Sequence, residues 1–338
     1  MARGMTTQDY PRIHEPSKLA GFMDEGKLVP HPGKIPEGKL KEIIERSVEY
    51  ANRKSSREIL DIPDKASDAE VSRIYAREGA ALLRYFRKYC GDPASTAHEC
   101  YDRHYSVIAK EQFHNRLLQK ERMNAGWRYQ RIALQCAQAS KRFRSVSDIG
   151  AVEADFNITV ETVPGAAAPI VNVYISVKNR SNTMGGQDWP KAIYALEQIA
   201  NQDKNRSGPY ICVFGIAMER GKRQIRRHRR TKQPHSPNTE VWLSDFFWPF
   251  VANESYEGIM LAVSDFFAEQ GLTMENRTIG VPMPQGLIDS FGEECRKAGL
   301  VDEEGNFHDR RKLVRFFCTN SIAELKDLGK KTRKSKRQ

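Results

Sequence analysis

The run Ala154-Asp155-Phe156-Asn157-Ile158-Thr159-Val160-Glu161-Thr162-Val163 decides the reading of this chain, together with Ile170-Val171-Asn172-Val173-Tyr174-Ile175-Ser176-Val177-Lys178 beyond a turn at 164–169. Both runs alternate apolar and polar residues, the period of a half-buried strand. Phe156, Ile158 and Val160 face one way, and Asp155, Asn157 and Thr159 the other. In the second run Val171, Val173, Ile175 and Val177 oppose Asn172, Tyr174, Ser176 and Lys178. An antiparallel hairpin with Val163 opposite Ile170 brings the apolar faces together, pairing Phe156 with Val177, Ile158 with Ile175 and Val160 with Val173. The same register sets Asp155 opposite Lys178, with Glu153, Asn157 and Ser176 on that face. A slip of one residue would put one apolar set on the wrong face, whereas a slip of two leaves the faces unchanged.

Working outward, 181–187 is a Gly- and Asn-rich turn. Asp188-Trp189-Pro190 has the form of a helix start, with Asp as cap and Pro in the first turn, and the helix runs to about Asn201. The run Tyr210–Ala217 is continuously apolar, as a strand buried on both faces requires. Strand, helix and buried strand make a βαβ crossover. Glu240–Leu243 is a further short strand candidate, and Ser255–Gln270 is an amphipathic helix. Upstream, Leu40, Ile43, Ile44 and Val48 recur at helical spacing, as do the apolar residues of Ala69–Lys88. A long helical stretch from about His104 to Phe143 follows, with a break near Gly126.

The fold class is therefore α/β of the α+β kind: a mixed central sheet with an antiparallel hairpin and a βαβ crossover, flanked by helices. Five segments are expected: an irregular arm over 1–35, a helical region over 36–143, the sheet core over 144–280, a small helical region over 281–329 and a basic tail over 330–338.

With 39% apolar and 29% charged residues, the 338-residue chain has a globular composition. No apolar run approaches the ~18 residues of a membrane span, and Met1–Thr7 lacks the apolar core of a signal peptide. No membrane partner and a cytoplasmic location are expected. The six cysteines are scattered, as free thiols in a reducing compartment are. Cys90, His98, Cys100 and His104 have the residue types of a Cys₂His₂ zinc site, but their spacing matches no familiar finger.

The net charge of +11 is local. Eight Lys and Arg and no acid lie between Arg220 and Lys232, and six more lie in Lys330–Gln338. Without these 14, 40 basic residues remain against 43 acidic ones. Concentrated patches of this kind suit a polyanion, most often nucleic acid. The tail also fits a solvated end, but the internal patch, which includes His228, interrupts a structured region.

The hairpin bearing Asp155 and Lys178, the following crossover and the adjacent arginines together resemble the PD-(D/E)xK nuclease core, over roughly 143–270. Phe246–Phe250 and the helix after it resemble the C-terminal part of type II restriction endonucleases of this superfamily. The resemblance implies Mg²⁺ held by Asp155 and the Val177 carbonyl, with Lys178 orienting or deprotonating the attacking water. It places a second acid two residues before the lysine, where this chain has Ser176. Some restriction enzymes with Ser or Thr there take the carboxylate from the next helix, which points to Glu197 as a further Mg²⁺ ligand; Glu153 is the alternative. Glu111 and Glu121 on the preceding helix also come into question. Arg223, Arg226, Arg227, His228, Arg229 and Arg230 are the expected DNA-binding residues, arginine being suited to guanine in the major groove.

The resemblance implies a site-specific deoxyribonuclease acting on double-stranded DNA as a homodimer, since two-fold symmetry matches a palindrome. A cognate DNA methyltransferase would belong to the same restriction-modification system. Two other readings stand beside it. In one, Asp155 and Lys178 are a surface ion pair in a non-catalytic nucleic-acid binder. In the other, the same core cuts RNA, structured DNA or modified DNA.

Overall fold

The computed structural model describes residues 28–55, 60, 62–63, 65–162, 164, 169–183, 189–206, 208–227, 230–269 and 282–319. They fall into two compact units, one drawn from 1–54 and 123–271, the other from 55–122 and 272–338.

The first unit contains a mixed sheet of seven strands in the order β1-β3-β4-β5-β7-β6, with β2 also paired to β3. The strands are β1 (Leu28–Val29), β2 (Ser145–Asp148), β3 (Phe156–Thr162), β4 (Ile170–Lys178), β5 (Tyr210–Ile216), β6 (Arg223–Gln224) and β7 (Thr239–Trp242). β3 is antiparallel to β1, β2 and β4, whereas β4, β5 and β7 run parallel. The expected antiparallel hairpin and βαβ crossover are both present. β1 puts the end of the expected N-terminal arm into the sheet; residues 1–27 and 320–338, the basic tail among them, lie outside the described residues.

The hairpin's register differs from the expected one by two residues. Phe156 faces Ile175, Ile158 faces Val173 and Val160 faces Val171. Asp155 is thus level with Ser176, not Lys178. Both registers put the same side chains on the same faces, so alternation cannot separate them. The turn does: Thr162 N donates to the Pro169 carbonyl at 3.1 Å, closing the ladder there. β4 is also not half-buried, because Val171 through Val177 are all buried.

Helices cover both faces of this central strand. On one face Phe156, Ile158, Val173 and Ile175 share a core with Tyr129, Ile132 and Cys136 of α4 (Tyr105–Ala139) and Ile43 and Ile44 of α1 (Lys39–Ser55). Phe247 and Trp248 of α6 (Ser244–Ala252) and Ile259 and Phe266 of α7 (Tyr256–Glu269) complete it. On the other face Tyr174, Cys212 and Phe214 pack against Trp189, Ile193 and Leu196 of α5 (Trp189–Gln202). The Asp188 cap expected for α5 lies outside the described residues. Gly215 brings β5 and α6 together: a Cβ there would lie 2.4 Å from Phe247 Cε2.

The helix expected to break near Gly126 is continuous from Tyr105 to Ala139. Gly126 faces the Asn179 side chain, with 3.6 Å from its Cβ position to Nδ2, so the glycine leaves ordinary contact rather than a bend. Residues 105–122 of α4 belong to the second unit. There, α2 (Asp68–Lys88), α3 (Pro93–Cys100), α8 (Gln285–Lys297) and α9 (Arg310–Cys318) build a helical core around Phe86, Phe291, Phe307 and Phe316. A capping box at Ser67 and Glu70 starts α2. Among the described residues, no helix is long and apolar enough to cross a membrane.

Candidate active site

Asp155 sits at the entrance to β3, where a tight loop fixes its backbone. Ile149 N and Gly150 N both donate to its carbonyl, at 3.0 and 3.3 Å, and Ala151 N donates to the Ala154 carbonyl at 3.1 Å. Gly150 takes φ +61, the left-handed conformation that glycine adopts without strain. Asp155 N donates to the Ile175 carbonyl at 2.9 Å. Its side chain then reaches β4, where Oδ2 accepts from Val177 N at 2.6 Å. The Val177 carbonyl accepts from Gln130 Nε2 of α4 at 3.3 Å.

Burial pushes the Asp155 carboxyl from 3.8 up to about 6, and the nearby Asp148 adds to the rise; the Val177 N–H, Lys178 and Lys54 oppose it. A carboxylate shielded from water yet lining an open cleft is a common functional arrangement. The cleft, roughly 320 Å³, is lined by Tyr50, Lys54, Trp127, Gln130, Arg131, Asp148 and Asp155. Asp148 is exposed at the end of β2 and pairs with Arg131 at 3.3 Å.

The other expected residues separate. Lys178 is half-buried and close enough to act electrostatically on Asp155, but forms no ion pair with it. Ser176 is wholly buried, and its Oγ has no hydrogen-bond partner among the described residues. Glu153 is half-buried in the 149–154 loop.

Glu197 is not brought to Asp155. Its Oε1 accepts from Thr239 Oγ1 at 2.5 Å and from Ser236 Oγ, in a buried polar cluster. Thr239 of β7 pairs with Cys212, whereas Ser176, level with Asp155, pairs with Phe214. Two strand residues, about 7 Å, separate those levels along the strands, and β5 lies between β4 and β7. Burial raises the Glu197 carboxyl, against the two hydroxyl bonds that lower it. Glu111, paired with Arg103, and Glu121 belong to the part of α4 in the second unit.

The basic segment forms a hairpin from β6 to β7, with Arg227 bridged to Pro234. Its arginines differ in what they touch. Arg223 grips buried Glu240 through Nε and Nη2, both at 3.1 Å, and Trp242 Nε1 donates to the same carboxylate at 2.6 Å. Arg223 is therefore part of the sheet's framework, not an open donor set for a base. The Arg226 guanidinium lies 4.4 Å from the Trp189 ring centroid, and burial lowers its pKa. Arg227 Nη1 donates to the Lys232 carbonyl at 3.1 Å. Arg230 is exposed, and His228 and Arg229 lie outside the described residues.

Lys54, Gln130 and Asp148 of the cleft carry no signal in the sequence that places them there. Lys54 comes from the last turn of a helix remote in sequence, and Gln130 is one polar residue of a long helix. Asp148 ends a strand of four residues, Ser145-Val146-Ser147-Asp148, whose single apolar residue gives no periodicity.

Cys90, His98, Cys100 and His104 form no metal site. Cys100 is buried, its thiol pushed up to about 11, and His104 Nδ1 is bonded to Ser106 Oγ at 2.7 Å. Among the described residues no group of three or more His, Cys, Asp or Glu is arranged to hold a metal. Asp155 and the Val177 carbonyl nevertheless fit Mg²⁺, a hard cation commonly held by one or two carboxylates, waters and substrate phosphate.

The first unit is thus an α+β domain in which a desolvated aspartate at the entrance to β3 lines an open cleft. In comparisons with known proteins, no protein-family model and no curated sequence matches the chain.

Proposed function

We propose that the chain is a Mg²⁺-dependent endonuclease acting on double-stranded DNA at a specific site, a type II restriction enzyme in kind. One observation carries the reading: Asp155 is desolvated and hydrogen-bonded to β4 one residue before Lys178, at the mouth of an open cleft. The order α4-β2-β3-β4-α5-β5 supports it, being the helix, antiparallel strands, helix and parallel strand that the PD-(D/E)xK resemblance implies.

In this reading Asp155 and the Val177 carbonyl hold Mg²⁺. The ion would supply a water of lowered pKa and offset charge on the phosphate. Lys178 orients or deprotonates the attacking water. Gln130 fixes the Val177 carbonyl, and the 149–154 loop fixes Asp155, so both oxygens are positioned before substrate arrives. Arg227 and Arg230, exposed between β6 and β7, serve as DNA contacts, whereas Arg223 stays with Glu240. The proposal extends to a homodimer in the cytoplasm, with a methyltransferase in the same system.

The test is incubation with plasmid and phage DNA in Mg²⁺ and in EDTA. Discrete Mg²⁺-dependent fragments support the reading, and shifted but intact DNA would instead mark a non-catalytic binder. Asp155→Ala and Lys178→Ala should each retain folding and DNA binding and lose cleavage. Wild-type cleavage by either variant would overturn the site.

A further inference from the structure

Of the four tryptophans, Trp189, Trp242 and Trp248 are 5%, 1% and 0% exposed, while Trp127 is only half-buried. It lines the Asp155 cleft with Tyr50, which is 38% exposed. The two rings come from different helices and share one cation: Lys54 Nζ lies 5.1 Å from the Tyr50 centroid and 5.4 Å from that of Trp127. Arg131 lies 5.5 Å from the Tyr50 ring. Aromatic faces with cations beside them are the equipment that holds single-stranded nucleic acid: rings stack on bases, and cations meet phosphates. A duplex cannot use it, because each base face is covered by its neighbour.

We propose that this cleft is a subsite for one unpaired nucleotide of the DNA substrate, its base stacked on Trp127 and Tyr50 and its phosphate paired with Lys54. The inference rests on the hydrolytic reading above and specifies its substrate: at the specific site the strand to be cut offers a nucleotide extruded from the stack, a state that a gap presents in advance and an unrelated blunt duplex does not. Lys54 can serve both states. Without DNA its ammonium rests on the two rings, an exposed cation–π contact, and a phosphate offers a stronger, charge-assisted bond. At roughly 320 Å³ the cleft falls within the usual size of small-ligand sites, about 300–1,000 Å³. Asp155 lines the same cleft, so a nucleotide seated there brings its phosphate beside that carboxylate.

The test uses the full chain in EDTA, so binding is read without hydrolysis. The probes are oligothymidylate, a duplex with a one-nucleotide gap and a blunt duplex of equal length. Tryptophan emission should fall with the first two and change little with the third, and Trp127→Phe should abolish the fall. Trp127→Ala should weaken the gapped duplex by roughly 5- to 160-fold, the range for one lost stack, and the blunt duplex less than twofold. Tyr50→Ala gives the same comparison should Trp127→Ala not fold. Lys54→Met should lower the log–log salt slope for oligothymidylate by about 0.7. A fall that persists in Trp127→Phe, or equal weakening of both duplexes, overturns the subsite. Quenching at Trp127 without Mg²⁺-dependent hydrolysis keeps the subsite and overturns the nuclease reading. Hydrolysis that needs Asp155, with no quenching, does the reverse.

Discussion

Asp155 and Val177 are joined across two strands by a single hydrogen bond of 2.6 Å, from the valine's backbone N–H to the aspartate's Oδ2. The bond gives the carboxylate only partial compensation for lost water, and the carboxyl stays at about 6.

That shift makes Asp155 costly to the fold. Its folded value of about 6 lies above 3.8, so the folded protein binds more protons between those values. Stability from this group therefore falls as pH rises from about 4 through 6, and the loss persists above 6. Asp155→Asn should raise stability at pH 7.5 by up to about 3 kcal/mol and flatten the pH dependence over that window. Urea titrations at pH 4, 5, 6 and 7.5 measure this; an unchanged or lower midpoint at pH 7.5 would contradict it.

Glu197 should matter to stability, not to chemistry. Removing its carboxylate leaves the Ser236 and Thr239 hydroxyls unpaired in a buried cluster. Glu197→Ala should cost roughly 1–3 kcal/mol for each stranded hydroxyl. Glu197→Gln keeps an acceptor oxygen, so it should cost much less and leave hydrolysis near wild type.

The basic segment should divide under mutation. Arg223→Ala leaves Glu240 buried without its guanidinium and should cost about 3–5 kcal/mol. Arg230→Ala, at an exposed position, should change stability by less than about 0.5 kcal/mol and lower the salt slope of duplex binding by about 0.9 if it meets a phosphate. Thermal melts and a salt series of binding isotherms read the two effects separately.

Gly215→Ala should destabilise by about 1–3 kcal/mol through overpacking, since its Cβ would meet Phe247 Cε2 at 2.4 Å and Cζ at 2.7 Å. Phe247→Leu in the same chain should recover part of that loss. A Gly215→Ala protein as stable as wild type would show that α6 can shift away from β5.

The sheet's central strands were legible because their signal is local: alternation fixes which residues share a face, and an unbroken apolar run marks a strand covered on both sides. Register by two was not legible, since Phe156 against Ile175 and Phe156 against Val177 satisfy the same pattern. The short strands β2 and β6 carry too few apolar residues to be seen. At the site, Asp155 and Lys178 were readable from the strands that hold them. Lys54, Gln130 and Asp148 were not, because tertiary packing alone brings them to the cleft. The position of Glu197 on its helix was readable, but not the depth at which Ser236 and Thr239 hold it.

The pairing of β4 with β3 on one side and β5 on the other also orders events during folding. The β3–β4 ladder closes over one short turn, whereas the parallel partner arrives only after residues 179–209 have crossed the sheet. Contacts near in sequence form with the smaller loss of chain entropy, so the hairpin is free to assemble first. The bond from Val177 to Asp155 belongs to that early piece. A nascent chain therefore holds both partners of that bond before β5, the first parallel strand to join β4, has been added.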